Sequence, residues 1–331
     1  MKTTLLRLSL ALLACTASAP TLAAGEAHSA APNARLERAL SWGLDRIDAD
    51  RAYRQVGAGS GVTVALIDTG IASGAHAFFA NISPASIDLL PHRAFGDAGA
   101  GHGGQTAGLL AAARDGRGTM GVAYDATLLM VRADLDGSCQ TICRMHGGDV
   151  ARGIDYAVAQ GARVIGLPIA SVRPLRSIEP ALERAVAAGV LIVAAAGNDG
   201  AEEPVWPARY AADPRFKGSI IVAGAGTLRG DLARWSNRAG STASHFIVAP
   251  GEFLPIDCGQ ETCSLGSGTS YSVSFVEGAA ALLLGRYPDL TGSEVAELLL
   301  DAASERRVRA DRGRGLLDVR AAVRRLEQAK G

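Results

Sequence analysis

The chain has 331 residues, of which 48% are hydrophobic and 20% charged, and its 33 basic and 33 acidic residues give a formal net charge of +0. This balance excludes the strongly basic surface with which proteins bind nucleic acid or anionic lipid. Aromatic residues make up only 5% while glycine occurs 40 times, a composition that suits helices packed closely on a parallel sheet.

Residues 1–24 have the layout of a secretory signal peptide. Basic residues up to Arg7 precede the apolar stretch 8–14, and small residues follow it. The stretch is too short to span a bilayer, so we expect an exported protein, periplasmic or extracellular, without a transmembrane span. Residues 12–15 also resemble a bacterial lipoprotein box, which leaves anchoring by a lipid on Cys15 as an alternative location.

Apart from Cys15, the cysteines form two close pairs in sequence, Cys139 with Cys143 and Cys258 with Cys263. In an exported protein this even number favours two short-range disulfides, each closing a small loop. A zinc site is the alternative, although neither spacing is the Cys-x-x-Cys that such sites favour.

Apolar strands alternate with helices after a short N-terminal segment (25–41). The run 62–67 is almost continuously apolar and β-branched, as expected of a strand covered on both faces. Because no linker interrupts the alternation, it favours an α/β fold with one domain over 42–331 and a mainly parallel sheet. The predicted strands are 62–67, one within 122–131, 162–169, 190–196, 220–225 and 246–249, and the predicted helices are 105–112, 149–160, 178–189, 271–284, 291–303 and one beginning near 315.

Four polar residues lie where such a fold places its ligands. Asp68 and Asn198 follow predicted strands, His102 lies near the start of a helix, and Ser270 lies in the first turn of another. A serine nucleophile needs a base, the imidazole base needs a carboxylate, and the attacked carbonyl needs hydrogen-bond donors. The side chain of Asn198 and the backbone N–H of Ser270 are candidate donors. Each residue alone also fits a turn, a loop or a helix N-cap, so the combination is what indicates a site.

The segments around these residues resemble the motifs of the subtilisin-like serine proteases, or subtilases. The matching segments are 67–70 (IDTG), 101–103 (GHG), 195–198 (AAGN) and 268–270 (GTS), and the resemblance extends from about Trp42 to the end of the chain. It implies the three-layer subtilisin-like fold, with a central sheet and helices on both faces.

The resemblance also implies an activity and the roles of individual residues. The protein would be an exported serine endopeptidase that hydrolyses peptide bonds through an acyl-enzyme. Ser270 would be the nucleophile, His102 the general base and then acid, Asp68 the residue that orients it, and Asn198 the oxyanion donor. The chemistry requires no cofactor.

For substrate binding, the resemblance assigns residues 168–170 to main-chain pairing with an extended peptide, with Ile169, Ala196 and Val205 at the substrate pocket. Peptides or proteins are therefore the expected partners, and a monomer is the expected state. Calcium is common in the family, but the sequence offers no coherent set of oxygen ligands, so no metal site is assigned.

Departures from the family pattern give further expectations. Gln105 and Tyr271 replace the usual histidine and methionine beside the base and the nucleophile. Glu277 falls in the predicted buried helix, and because a lone buried charge is costly we expect it to reach solvent or pair with an arginine. The segment 25–41 is too short for a folded inhibitory prodomain.

Three alternatives compete with this hypothesis. A catalytically inactive subtilase-fold protein that binds peptides is favoured by the altered surroundings of His102 and Ser270. The tripeptide 68–70 also matches the aspartic protease motif, but no second copy occurs in the chain. An α/β-hydrolase would require a Gly-x-Ser-x-Gly elbow, which is absent from the sequence.

Overall fold

The structure is a computed structural model that describes residues 33–73, 79–93, 96, 101–140, 143–258 and 262–330. The predicted signal peptide and Cys15 lie outside these residues.

Seven parallel strands form the central sheet, in the order β2-β3-β1-β4-β5-β6-β7. The predicted α/β fold with a mainly parallel sheet is therefore confirmed. Two further short strands form an antiparallel hairpin. The strands are β1 (Thr63–Asp68), β2 (Ile87–Asp88), β3 (Thr127–Arg132), β4 (Val164–Leu167), β5 (Leu191–Ala195), β6 (Ile220–Gly226), β7 (Phe246–Pro250), β8 (Leu254–Ile256) and β9 (Ser264–Gly266).

Helices cover both faces of the sheet because its strands are apolar on both faces. In β1, Val64 and Leu66 belong to one hydrophobic cluster, whereas Ala65 and Ile67 belong to the other. Helices α3, α4, α7, α8 and α9 contribute to the first cluster, and α5 and α6 contribute to the second. The helices are α1 (Ala34–Leu40), α2 (Trp42–Arg46), α3 (Ala49–Val56), α4 (His102–Ala111), α5 (Gly147–Ala159), α6 (Glu179–Ala187), α7 (Thr269–Arg286), α8 (Gly292–Ala302) and α9 (Val319–Lys330).

The direction of the strand order reverses beside β1. This strand pairs with β3 on one side and with β4 on the other, so the chain passes from one half of the sheet to the other at this point. Open α/β sheets form ligand crevices at the carboxyl ends of strands where such a reversal occurs. The carboxyl ends of β1 and β4 are therefore the expected floor of a site.

The helix α7 lies in the core, with its first sixteen residues buried. Glu277, two turns after Ser270, is 0% exposed, and neither of its carboxylate oxygens has a hydrogen-bond partner among the described residues. The expectation that it reaches solvent or pairs with an arginine is wrong. The reason is Gly166 in β4, where a Cβ atom would overlap the Glu277 carboxylate. The missing side chain leaves room for the carboxyl group inside the core.

The described part of the N-terminal segment, residues 33–41, packs on the rest of the fold. Asn33 caps α1, and its N–H donates to the carbonyl of Gly116 at 2.7 Å. Buried Glu37 accepts the backbone N–H groups of Asp115 and Gly116 at 2.9 and 2.8 Å. The helix α1 is thus attached to the loop that follows α4. None of the helices in the described ranges is long and apolar enough to cross a membrane.

Candidate active site

Asp68 and His102 meet at the carboxyl end of β1. The strand β1 ends with Asp68, whose side chain is 1% exposed, and α4 begins with His102. The imidazole Nδ1 lies 2.8 Å and 3.0 Å from the two carboxylate oxygens. The carboxylate also accepts the N–H of Thr69 at 2.7 Å and the hydroxyl of Thr106 at 2.8 Å. These hydrogen bonds fix both members of the pair.

Close backbone contact brings the start of α4 onto β1. A Cβ atom on Gly103 would overlap the carbonyl oxygen of Gly70, so only glycine permits this approach. The N–H of Gly103 also donates to the hydroxyl of Thr69 at 2.9 Å. The glycine after His102 is therefore needed to place the imidazole beside Asp68.

The environment of His102 raises its pKa. Burial disfavours the imidazolium and by itself lowers the pKa, but the adjacent Asp68 carboxylate outweighs burial and raises the pKa of His102 above its ordinary value. The Asp68 carboxylate therefore stabilises the imidazolium form of His102. Such stabilisation is what an imidazole needs if it is to accept a proton during a reaction.

Ser270 lies in the first turn of α7, directly beside the carboxyl end of β4. Ser270 is 7% exposed, and its hydroxyl donates to the carbonyl of Pro168 at 3.2 Å. Within the described residues no hydrogen bond joins this hydroxyl to His102. The helix begins after Gly268, which offers no side-chain cap. In its first turn the N–H of Thr269 donates to Asn198 and that of Tyr271 to the carbonyl of Gly268, which leaves the N–H of Ser270 as the candidate donor to a ligand.

Asn198 is held by the residue that precedes Ser270. Its Oδ1 accepts both the backbone N–H and the hydroxyl of Thr269, each at 2.9 Å. The Thr269 hydroxyl in turn accepts the N–H of Gly197 at 3.1 Å. Because both bonds use Oδ1, the Nδ2 amide of Asn198 is left for the cleft that this residue lines.

These groups line a cleft of about 600 Å³. Ile169 is part of its wall, whereas Ala196 and Val205 are not among the lining residues. Ala196 is buried and its carbonyl accepts the N–H of Val205 at 2.9 Å, so these two residues pair with each other. The lining consists of Asp68, Thr69, His102, Cys139, Cys143, Arg144, Met145, Gly147, Val150, Pro168, Ile169, Ala170, Ser171, Leu175, Ala195, Asn198, Thr269 and Ser270.

Both predicted disulfides are present, Cys139–Cys143 and Cys258–Cys263. The zinc alternative is therefore wrong. The Cys139–Cys143 pair lies in the cleft wall, which the sequence did not indicate. In the parts of the chain that the structure describes, no three His, Cys, Asp or Glu side chains form a metal-binding group, so no calcium site can be placed on them.

Sequence patterns missed two threonines that support the site. Thr106 lies one helical turn after His102, and Thr269 lies directly before Ser270. Each uses its hydroxyl to hold a polar side chain of the cleft. For Thr106 the i, i+4 spacing from His102 was an available signal, because residues at that spacing share a helix face.

A buried carboxylate–imidazole pair and a serine at a helix N-terminus lie in one cleft at the carboxyl end of a parallel sheet, an arrangement typical of serine hydrolases. A family model described as the subtilase family matches residues 59–320. The chain therefore belongs to the subtilase family, and it is a serine-type endopeptidase. The aspartic protease and α/β-hydrolase alternatives are wrong.

Individual relatives agree with this assignment. Subtilisin BL from Lederbergia lenta is 32% identical over 290 residues, covering 87% of this chain and 100% of the relative. An alkaline protease from Alkalihalobacillus alcalophilus is 32% identical over 292 residues, covering 87% of this chain and 71% of the relative. Among solved structures, the MycP3 protease from the type VII (ESX-3) secretion system is similar, with a TM-score of 0.68, 25% identity and coverage of 85% of this chain and 87% of that chain.

Proposed function

We propose that the protein is an exported endopeptidase in which Ser270 is the nucleophile, His102 the general base, Asp68 the residue that orients it and Asn198 the oxyanion donor. The observation that carries the proposal is the buried contact of 2.8 Å between His102 and Asp68 at the edge of the cleft that contains Ser270. No other described residue is needed for proton transfer.

The orientation of His102 defines the proton path. With Nδ1–H donating to Asp68, the Nε2 lone pair is the free base of the ring. It takes the proton of Ser270 Oγ as that oxygen attacks the peptide carbonyl, and it then returns the proton to the leaving amine. Water then attacks the resulting ester while His102 takes its proton, and His102 returns that proton to Ser270 Oγ as the carboxylic acid product leaves. The Nδ2 amide of Asn198 and the Ser270 N–H stabilise the negative oxygen of each tetrahedral intermediate.

Substrate binding would move the nucleophile toward its base. In an extended peptide paired with residues 168–170, a backbone N–H reaches the carbonyl of Pro168. That carbonyl now accepts the hydroxyl of Ser270. When the peptide N–H donates to the Pro168 carbonyl in place of the Ser270 hydroxyl, Ser270 Oγ turns toward His102. The reactive arrangement therefore forms as substrate binds.

Export and domain limits belong to the same proposal. The mature catalytic domain spans 42–331, preceded by the segment 25–41 and the cleaved signal 1–24. Two disulfides support an oxidising compartment outside the cytoplasm, either periplasmic or extracellular. A lipid on Cys15 would anchor the protein without altering its chemistry, and the working form is a monomer.

A second candidate is an inactive protein of the same fold that binds peptides in the cleft. The observation that favours it is the contact between Ser270 Oγ and Pro168, which leaves the hydroxyl turned away from His102. In that case the geometry in the structure persists when a ligand binds, and no acyl-enzyme forms.

Reaction with a fluorophosphonate separates these candidates. Mass spectrometry of the treated wild type should show one adduct on Ser270, while Ser270→Ala should remain unmodified. Folded wild-type protein without an adduct would rule out the proposed function and support the peptide-binding candidate, which peptide binding measured by calorimetry would then establish.

A further inference from the structure

Gln105 lies three residues after His102 in α4 and connects this helix to two other parts of the fold. Its Oε1 accepts the hydroxyl of Tyr271 at 2.7 Å, and its Nε2 donates to Oδ2 of Asp257 at 2.5 Å. We propose that this Tyr271–Gln105–Asp257 chain positions the imidazole of His102 relative to Ser270. The inference rests on the proposed function of the triad.

Tyr271 is the fixed end of the chain. It directly follows Ser270 in α7 and is 4% exposed. A Cβ atom on Gly266 would lie 2.7 Å from its ring and 2.9 Å from its hydroxyl oxygen, so the phenol occupies space that only glycine leaves open. Its ring also lies nearly parallel to that of His102, with centroids 6.3 Å apart. The hydroxyl therefore has a defined position beside the base.

Asp257 is the opposite end. It follows β8 and directly precedes Cys258, whose disulfide to Cys263 closes the loop between β8 and β9. The β8–β9 hairpin leads into α7 through Gly266, so both ends of the hydrogen-bonded chain belong to one continuous region of structure. Gln105 therefore attaches α4 to the part of the fold that carries the nucleophile.

The start of α4 needs such an attachment. Its N-cap, Gly101, provides no side-chain cap, and glycines at 103 and 104 weaken the first turn because each costs about 1 kcal/mol relative to alanine. Toward the sheet, Asp68 holds His102 and Thr106. On the side of α4 toward α7 and the β8–β9 hairpin, Gln105 makes two hydrogen bonds and the hydroxyl of Ser274 donates to the carbonyl of Thr106 at 2.8 Å. Loss of the two Gln105 bonds would leave the Ser274 bond on this side and would allow a small rotation of the first turn about the Asp68 contact.

Such a rotation would change the distance from the imidazole to Ser270 while leaving the Asp68–His102 pair intact. Misplacement by about 1 Å is enough to cost about 100-fold in rate, whereas the cleft that binds the peptide is unaffected. Gln105 is thus a positioning residue, and its loss should lower kcat with little change in KM.

A reciprocal exchange tests this inference. In Gln105→Glu, a carboxylate oxygen replaces the donating Nε2 and faces the carboxylate of Asp257, so the two groups repel. Adding Asp257→Asn restores the bond with its direction reversed, because the new amide donates to the new carboxylate and Tyr271 still donates to residue 105. We expect Gln105→Glu to lower kcat by about 10- to 100-fold and the double variant to recover to within about threefold of wild type.

Tyr271→Phe removes the other bond with little change in side-chain volume, and it should also lower kcat. Tyr53→Phe is its matched control, because the hydroxyl of Tyr53 donates to the carbonyl of Val122, away from the cleft. The melting temperature of every variant is measured beside kcat and KM. If the double variant recovers kcat while its melting temperature does not change in parallel, Gln105 acts by positioning rather than by general stabilisation.

The result that would overturn the inference is a Gln105→Glu variant that keeps wild-type kcat, or a double variant that stays as impaired as the single one. The rate of fluorophosphonate labelling distinguishes this failure from that of the proposed function. A wild type that is not labelled refutes both, whereas a labelled wild type with equally reactive variants refutes only the role of Gln105.

Discussion

The hydroxyl of Thr106 donates to Oδ2 of Asp68 at 2.8 Å, the same carboxylate that accepts Nδ1 of His102. The carbonyls of His102 and Gly103 also lie 3.0 and 3.1 Å from this hydroxyl, but the bond to the carboxylate is the shortest and is charge-assisted. Helix α4 therefore carries both the imidazole and the group that holds its partner in place.

Thr106→Val should lower kcat by about 10-fold or more, because a hydrogen bond to a charged group contributes about 1.5–3 kcal/mol. KM should change little, since Thr106 does not line the cleft. Steady-state kinetics on a peptide substrate measure both, and Thr106→Ser should recover the rate. Thr242→Val is the control, because it removes an equally buried hydroxyl that donates to the carbonyl of Ala239. Equal losses in the two valine variants would contradict the prediction.

The pH dependence of kcat/KM should report the raised pKa of His102. The base acts when neutral, so activity is lost as the pH falls through this pKa, which lies above the ordinary 6.5. In Asp68→Asn the attraction of the carboxylate is removed and burial remains, so the acid limb should move to lower pH. The maximal rate should fall by about 10⁴-fold, as in another serine protease triad. An acid limb that stays in place would show that another group controls it.

Asn198→Leu should reduce kcat by about 10²–10³-fold, the loss known for an oxyanion donor in subtilisin. KM should stay near the wild-type value, because the amide acts on the negative oxygen that forms during the reaction. Thr269→Val should cause a smaller loss, since the N–H of Thr269 still holds Oδ1. If Asn198→Leu raised KM and left kcat intact, Asn198 would be a substrate-binding residue.

Glu277 should make the folded protein less stable as the pH rises. Burial raises the pKa of its carboxyl well above the usual range, and the nearby Asp68 carboxylate raises it further. Above the unfolded-state pKa of about 4.3, the folded protein binds more protons than the unfolded chain. The free energy of unfolding therefore decreases with increasing pH until the folded-state pKa is passed.

Two variants separate charge from polarity at this position. Glu277→Leu should raise the free energy of unfolding at pH 8 by about 1–3 kcal/mol, because it removes buried polar atoms without partners. Glu277→Gln should remove the pH-dependent part but keep an unpaired amide. Urea unfolding at pH 5 and pH 8 provides the comparison, and a wild type whose advantage over Glu277→Leu grows with pH would contradict the prediction.

The two disulfides should affect different kinetic constants. Replacing both Cys139 and Cys143 by serine loosens the cleft wall, so KM for an extended peptide should rise by about 3- to 10-fold with kcat retained. Replacing both Cys258 and Cys263 loosens the loop beside Asp257, so kcat should fall instead. Kinetics of the two double variants on one substrate make the test. The same pattern in both would point to general destabilisation.

The places of Asp68 and Ser270 in the fold could be predicted from the sequence because each lies at the end of an element with a local apolar pattern. Asp68 ends an apolar β-branched run and Ser270 begins an apolar helix, and the combination of these residues with His102 and Asn198, rather than any one of them, indicated a site. The two disulfides could also be predicted, since the short spacing of the cysteines in an exported chain restricts how they can pair. The alternation of strands and helices predicted the fold class, and the four short motifs predicted the family.

Contacts between distant segments could not be predicted in this way. Tyr271 and Gln105 are 166 positions apart, and neither a period nor a motif relates them. Glu277 was expected to reach solvent or to pair with an arginine because a lone buried charge is costly, but a glycine in strand β4 provides the space that it occupies. Whether two residues that are distant in sequence fit together in shape depends on how the whole fold packs, so such contacts cannot be predicted from local sequence patterns.

The order of elements along the chain has a consequence for biosynthesis. All seven strands of the main sheet and both His102 and Asp68 precede α7, the helix that carries Ser270. With Ser270 as the nucleophile, a polypeptide that ends before α7 holds the acid–base pair but has nothing to attack a peptide bond. On the proposed mechanism, a growing or prematurely terminated chain that lacks α7 is therefore expected to be inactive as a protease.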